Sequence, residues 1–162
     1  MHTPAHSAST ERLIYNLLDK YADCLDNDDL ENWPGLFRED GKYLIQSREN
    51  LEAGMDGGYW MYYTSQGMMR DRVTSLRHIN TFNKHYYRHL ISNIKISEHG
   101  DDSFCVRSNF LVVQTNFEGK FECTNAGEYR DVITIADGEP KFKEKLVIAD
   151  TFHTVSAIVY PL

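Results

Sequence analysis

Two periodicities divide the chain. From Thr10 onward Leu13, Ile14, Leu17, Leu18, Tyr21, Ala22 and Leu25 recur at helical spacing, while Glu11, Arg12, Asn16, Asp19, Lys20 and Asp23 take the opposite face. This predicts an amphipathic helix, with Ser9 or Thr10 supplying the N-cap oxygen and residues 1–9 forming a loose tail. The acidic run Asp26-Asn27-Asp28-Asp29 interrupts the pattern. A short second helix is expected over residues 29–37, with Leu30, Trp33, Leu36 and Phe37 turned inward and Pro34 in its first turn. Asp40-Gly41 reads as a turn before a short strand at 42–46. Residues 52–67 are rich in Gly, Met and aromatics and read as a loop containing a short strand. Helical spacing returns over 68–82 through Met69, Val73, Leu76 and Ile79.

Beyond Lys84 the period changes to two. Strands are expected at 86–98, 103–117, 120–136 and 141–150, with a further one at 153–160. Turns fall at Gly100-Asp101, Glu118-Gly119 and Asp137-Gly138, the last a hairpin signal. In the 141–150 strand Phe142, Leu146 and Ile148 are assigned to the inner face and Lys141, Lys143 and Lys145 to the solvated one. Long strands joined by tight turns, with helices on the N-terminal side, predict an α+β fold: helices packed on one face of a curved, mostly antiparallel sheet, in one domain over 10–162.

Composition narrows what such a domain does. A chain of 162 residues, 41% hydrophobic and 25% charged, has the balance of a globular protein with a single core. Its net charge of −7 and the lack of a basic stripe argue against a nucleic-acid partner. No apolar run is long enough to span a membrane, and the N-terminal residues lack the core of a signal peptide. Cys24, Cys105 and Cys123 read as free thiols of a reducing compartment, so a cytoplasmic location is expected.

The sequence carries few chemistry-bearing patterns. His85 and His89 form H-x-x-x-H, but on a strand residues four apart stand roughly 13 Å apart, too far to share an ion. No Cys is followed within three residues by His or another Cys, so the paired ligands of a Rieske cluster are missing. Nucleophile elbows, dinucleotide fingerprints and phosphate loops are absent as well. General acid–base chemistry in a cavity stays open, with Asp40, His78, His89 and Tyr129 as the groups able to act on a carbonyl substrate. The block Arg70-Asp71-Arg72, with Arg77 and Arg88, reads either as a solvated face or as ion pairs between elements or subunits.

The stretch from Met69 through Asp71, Arg72, Leu76 and Arg77, continued by His85-Tyr86-Tyr87-Arg88-His89-Leu90, resembles the signature of the β subunits of aromatic-ring-hydroxylating dioxygenases. Gly127-Glu128-Tyr129 and Tyr160-Pro161-Leu162 are also similar to these subunits. The segment Trp33-x-x-Leu36-Phe37-x-x-Asp40-Gly41-x-Tyr43 resembles the start of the first strand in ketosteroid-isomerase-like, cystatin-like cones. Ser47-Arg48-Glu49-Asn50-x-x-Ala53-Gly54 is similar to the branch acting on aromatic carboxylates such as benzoate, anthranilate, salicylate or terephthalate, although Arg77-His78-Ile79-Asn80 and the aromatic run 59–63 depart from it.

The resemblance implies a non-catalytic subunit that joins a larger α subunit, commonly three of each, with β subunits also touching one another. The Rieske cluster and the mononuclear iron would then sit in α, and this chain would hold no cofactor of its own. The resemblance makes Asp71, Arg72, Arg77, Arg88 and His89 candidate interface or structural residues. The alternative is a stand-alone isomerase, dehydratase or small-ligand binder that uses the interior of the cone.

Overall fold

A computed structural model describes residues 7–54, 57–78, 85–100, 102–150 and 160–162. Helix α1 (Ala8–Asp26) begins two residues before the expected start, because Ser7, not Ser9 or Thr10, takes the N-cap position and accepts a hydrogen bond from the Thr10 N–H. The expected tail therefore contributes its last residues to a helix, and residues 1–6 lie outside the described residues. Ile14, Leu17, Leu18, Tyr21 and Leu25 are buried, as the helical spacing requires.

The second helix contracts to a 3-10 turn (Trp33–Leu36) with Pro34 at its start. Proline at the first position forfeits no hydrogen bond, and a buried Trp33 fixes the turn by packing edge-on against Phe37 and Tyr43. Strand β1 (Phe37–Ser47) then begins at once. Asp40-Gly41 is an outward bulge inside that strand rather than a turn before it: β1 advances from Phe37 to Lys42 while its neighbour advances only from Phe142 to Glu144. A Cβ on Gly41 would come within 2.8 Å of the Arg38 carbonyl oxygen, so the bulge needs glycine.

A short helix α2 (Arg48–Glu52), capped by Ser47, leads to strand β2 (Tyr59–Tyr63). Asn50 donates to the Gly58 carbonyl and ties the intervening loop to α2. Helix α3 (Gln66–His78) buries Met69, Val73 and Leu76; the expected continuation to residue 82 falls outside the described residues.

Strands β3 (Tyr86–Gly100), β4 (Ser103–Thr115), β5 (Phe121–Ala136) and β6 (Glu139–Ala149) form the antiparallel meander read from the period-two pattern. Asp137 and Gly138 both take positive φ, the primed turn that an Asp-Gly hairpin favours. The further strand expected at 153–160 cannot be placed, because residues 151–159 lie outside the described ones.

The sheet order is β2-β1-β6-β5-β4-β3, and β1 runs parallel to β6. The N-terminal strands thus extend the meander from its β6 edge. All five pairings carry a register shift. Extra residues on one strand bend it and increase its twist, which curls the sheet around α1 and α3 into a cone.

The shift between β5 and β6 corrects the sequence reading. Val132 faces Glu144 but Ile133 faces Phe142, so Lys143 is an extra residue and the inside–outside alternation inverts across it. Phe142, Lys145 and Val147 consequently share the inner face and are fully buried, whereas Leu146 is only half-buried. Lys145 is not on the wet face.

Among the described glycines, Gly127 leaves the least room for a side chain. A Cβ there would lie 1.9 Å from the Ile148 carbonyl oxygen and 3.0 Å from the Phe110 ring. Gly127→Ala is expected to lower unfolding free energy by about 1–3 kcal/mol or more, through forced separation of β5 from β6. Urea denaturation checks this, and an unchanged midpoint would show that the strands absorb the methyl.

Candidate functional site

The inversion at Lys143 puts a charge pair inside the cone. Lys145 Nζ lies 3.0 and 3.2 Å from the two carboxylate oxygens of Asp131, and both side chains are fully buried. Three rings surround the ammonium, with centroids 3.6 Å (Tyr129), 4.3 Å (Tyr21) and 4.8 Å (Phe142) from Nζ. Burial pushes the Asp131 carboxyl up to about 6 against the pull of Lys145, and it pushes the Lys145 ammonium down. Mutual attraction and the ring faces offset that desolvation.

A tyrosine layer lies beside the pair. Tyr21 comes from α1, Tyr43 from β1 and Tyr129 from β5, and all are fully buried. Tyr129 stacks on Phe110 at 4.5 Å, and Tyr21 meets Tyr129 and Phe142 edge-on. The Tyr21 and Tyr43 hydroxyls both donate to a backbone oxygen of Leu162, whose N–H donates back to Tyr43 Oη at 2.8 Å. Burial raises all three phenols above their ordinary value, so they remain protonated donors at neutral pH.

The acidic run after α1 has a defined task. Asp26 grips strand β3: its carboxylate accepts from the His89 N–H at 3.0 and 3.1 Å and meets His89 Nδ1 at 2.6 Å. That leaves His89 Nε2 buried and without a partner among the described residues. Asp28 and Glu31 together hold Arg77 of α3 through contacts of 2.7–2.9 Å, and Asp28 also accepts from the Tyr160 hydroxyl. Carboxylates at a helix C-terminus oppose its dipole, so these partners are what make the run tolerable there.

The expected site residues therefore do not converge. His89 is interior and Arg77 clamps α3 to the turn after α1. Arg72 is half-buried near the Tyr63 phenol, which it draws downward against the upward push of burial. Asp71 and Arg88 are exposed, and Arg88 donates to the neighbouring Tyr87 carbonyl. Among the acid–base candidates, Tyr129 and His89 are buried, whereas Asp40 pairs with Arg38 on the surface and His78 is exposed. Asp26, Asp131, Lys145 and Tyr21 are functional-looking groups that the sequence reading passed over. One signal for them exists: Phe142 and Val147 are both apolar but an odd number of residues apart, which a regular strand cannot bury on one face.

Metal donors are dispersed. Among the described residues no group of three His, Cys, Asp or Glu is placed to hold an ion. Cys105 pairs with Val132 and Cys123 with Val113, which separates the two cysteines by roughly 26 Å along the sheet. At that separation Cys105 and Cys123 cannot ligate one cluster together.

The outer face of the sheet carries a different feature. A polar groove of about 450 Å³ follows the β3 bulge, lined in part by Asn93, Lys95, Arg107, Asn109 and Glu128. Burial would raise the Glu128 carboxyl, but Arg107 and Arg130, each 2.5 Å away, hold it below the usual range. Tyr62, Tyr86, Leu90, Phe117 and Phe121 add exposed apolar area. The aromatic run 59–63 is split by strand alternation: Met61 is buried, Tyr63 stacks on Tyr43 and Tyr62 is exposed.

The Arg77 clamp predicts a pH signature. Its hydrogen bond lowers the Glu31 carboxyl from 4.5 to about 2, so the stabilisation is present above pH 4.5 and is lost as pH falls through about 2. Arg77→Gln should cost about 1 kcal/mol near neutral pH, a partly exposed network being screened by solvent. The gap from wild type should close as pH falls toward 2. Urea titrations at several pH values check it, and a gap independent of pH would rule out the Glu31 pairing as its source.

Residues 20–154 match the family of ring hydroxylating beta subunits. The chain is 39% identical over 149 residues to the small subunit of anthranilate 1,2-dioxygenase from Burkholderia cepacia, covering 92% of each. It is 30% identical over 142 residues to beta subunit 2 of the terminal oxygenase component of terephthalate 1,2-dioxygenase from Comamonas sp, covering 88% of this chain and 92% of the relative. The crystal structure of a protein assigned as the β subunit of an aromatic-ring-hydroxylating dioxygenase from Novosphingobium aromaticivorans superposes with a TM-score of 0.84 at 33% identity, covering 94% of this chain and 95% of that one. With a family match over most of its length and a shared cone of helices and curved sheet, the chain belongs to the β subunits of aromatic-ring-hydroxylating dioxygenases.

Proposed function

We propose that this chain is the structural β subunit of a Rieske non-haem iron dioxygenase that hydroxylates an aromatic carboxylate of the anthranilate type. The observation that carries the reading is the 39% identity, over 92% of each chain, with an anthranilate dioxygenase small subunit. Support comes from the interior. Several of its polar groups are engaged within the chain: Lys145 with Asp131, His89 Nδ1 with Asp26, and Tyr21 and Tyr43 with Leu162. A stand-alone isomerase or dehydratase needs such groups directed at a substrate, and Asp40 and His78, two of those it would use, lie on the surface.

In this reading the partner is a catalytic α subunit, with three α and three β in the assembly. The Rieske cluster and mononuclear iron belong to α, where the redox chemistry occurs, with electrons from NADH arriving through a reductase. The work of this chain is mechanical: the cone presents the outer sheet face, with its Arg107–Glu128–Arg130 cluster, and exposed aromatics elsewhere on its surface, as docking area. A cytoplasmic setting suits the three free cysteines, and no described helix is long and apolar enough to cross a membrane.

Co-expression with a Rieske-type α subunit from the same genome tests the proposal. The expected result is an equimolar complex that carries iron and a Rieske absorption spectrum and, with reductase, oxidises anthranilate, while the isolated chain is colourless and inactive. Failure to co-purify with any such partner, or turnover by the isolated chain, would overturn it.

A further inference from the structure

One row across the outer face of the sheet carries an excess of positive charge. Lys95 on β3 pairs in register with Arg107 on β4, and Arg107 pairs with Arg130 on β5, so three exposed cations stand side by side. Like charges directly opposite one another destabilise a sheet. Glu128 relieves part of this, giving one carboxylate oxygen to Arg107 and the other to Arg130. The Lys95 ammonium has no partner among the described residues. Three cations against one carboxylate leave two positive charges in excess, within a chain whose net charge is −7. Lys95 and Arg107 also line the polar groove beside the β3 bulge, where Asn93 and Asn109 add neutral hydrogen-bonding groups.

Glu128 shows what the row accepts. Each guanidinium spends a single hydrogen bond on it, which leaves the other N–H donors of both forks for a second carboxylate. The same register row runs on through Leu146 on β6 and Leu44 on β1 to the exposed Tyr62 on β2, so charge gives way to apolar side chains along it. A row that is charged at one end and apolar at the other fits a polypeptide better than a free anion, which would leave the apolar end unused. The chain's own acidic run, Asp26 to Asp29, is bonded to His89, Arg77 and Asn32, so a second copy has little to offer this row. We propose that an acidic segment of the catalytic α subunit docks across it, with carboxylates against Lys95, Arg107 and Arg130 and an apolar side chain against Tyr62. This assignment rests on the reading of the chain as a β subunit. Neighbouring strands lie roughly 4.8 Å apart, so the three cations span roughly 10 Å, about three steps of an extended segment. Exposed contacts of this kind govern association rate and salt dependence more than final affinity.

Two measurements test it. In the first, the complex with the α subunit of the same genome is titrated with sodium chloride and its dissociation followed by size-exclusion chromatography. The double variant Lys95→Glu with Arg107→Glu should release α at less than half the salt concentration that releases it from wild type, or fail to assemble, while Lys20→Glu on α1 should match wild type. If the double variant does not fold by circular dichroism, Lys95→Gln alone should lower the release concentration by at least a quarter. In the second, a peptide of six glutamates is added to the isotopically labelled full chain. Amide NMR signals of Lys95, Arg107 and Arg130 should shift, and Lys95→Gln with Arg107→Gln should remove most of the shift. Wild-type and folded variant complexes with equal salt tolerance overturn the proposal and leave the β-subunit reading standing. Peptide shifts that are absent, or confined to other surfaces, overturn it too. So does a variant that loses only self-association of the chain, which would give the row to a second copy. Absence of any wild-type complex defeats the β-subunit reading itself, and the α partner named here with it.

Discussion

The ion pair between Lys145 and Asp131 is the interaction around which the cone is organised. Burying two charges costs several kcal/mol for each ion, and removing one partner leaves the other uncompensated. The surrounding structure must therefore supply both the partner and a favourable surface for the cation. Asp131 arrives from β5, and Tyr129 and Phe142 come from the same two strands, while Tyr21 reaches over from α1. Helix and sheet are thus docked at a point fixed by charge as well as by apolar contact. Tyr21 and Tyr43 extend that point through Leu162 to β1, so one polar layer touches α1, β1, β5 and β6.

That layer depends on bulges, which explains what the sequence could and could not disclose. Helix α1 and the four-strand meander were legible because their periodicity is long and their punctuation strong, with Asp137-Gly138 as the clearest turn. The inner face of β6 was not legible by alternation alone, since a single extra residue at Lys143 exchanges inside and outside and brings Lys145 into the core. The same limitation made Asp40-Gly41 read as a turn when it is a bulge closed by contact of Gly41 with the Arg38 backbone. Parallel pairing of β1 with β6 is a long-range feature, and no local pattern encodes it. Asp26 looked like an interruption of the helix, yet it anchors His89, sixty-three residues later in the chain.

Family resemblance located the block around Asp71, Arg72 and Arg77 without its physics. Arg77 ties α3 to the turn after α1, and His89 ties β3 to the end of α1, so two of the family-like positions hold elements of one chain together. Asp71 and Arg88 face outward and are free to meet other surfaces. A β subunit whose role is scaffolding needs both kinds of residue: internal clamps that keep the cone from deforming, and a polar and aromatic exterior that can dock. The Arg107–Glu128–Arg130 cluster beside the β3 bulge provides a charged portion of that exterior.

A double-mutant cycle on the buried pair reads the central claim most directly. Chemical denaturation of wild type, Asp131→Asn, Lys145→Met and the double variant gives the coupling energy between the two side chains. Each single change should cost about 3–5 kcal/mol, because it strands a buried charge. The double variant should cost far less than the sum, as neither charge remains to be compensated. Additive losses, or single variants within about 0.5 kcal/mol of wild type, would contradict an organising role for Lys145 and Asp131.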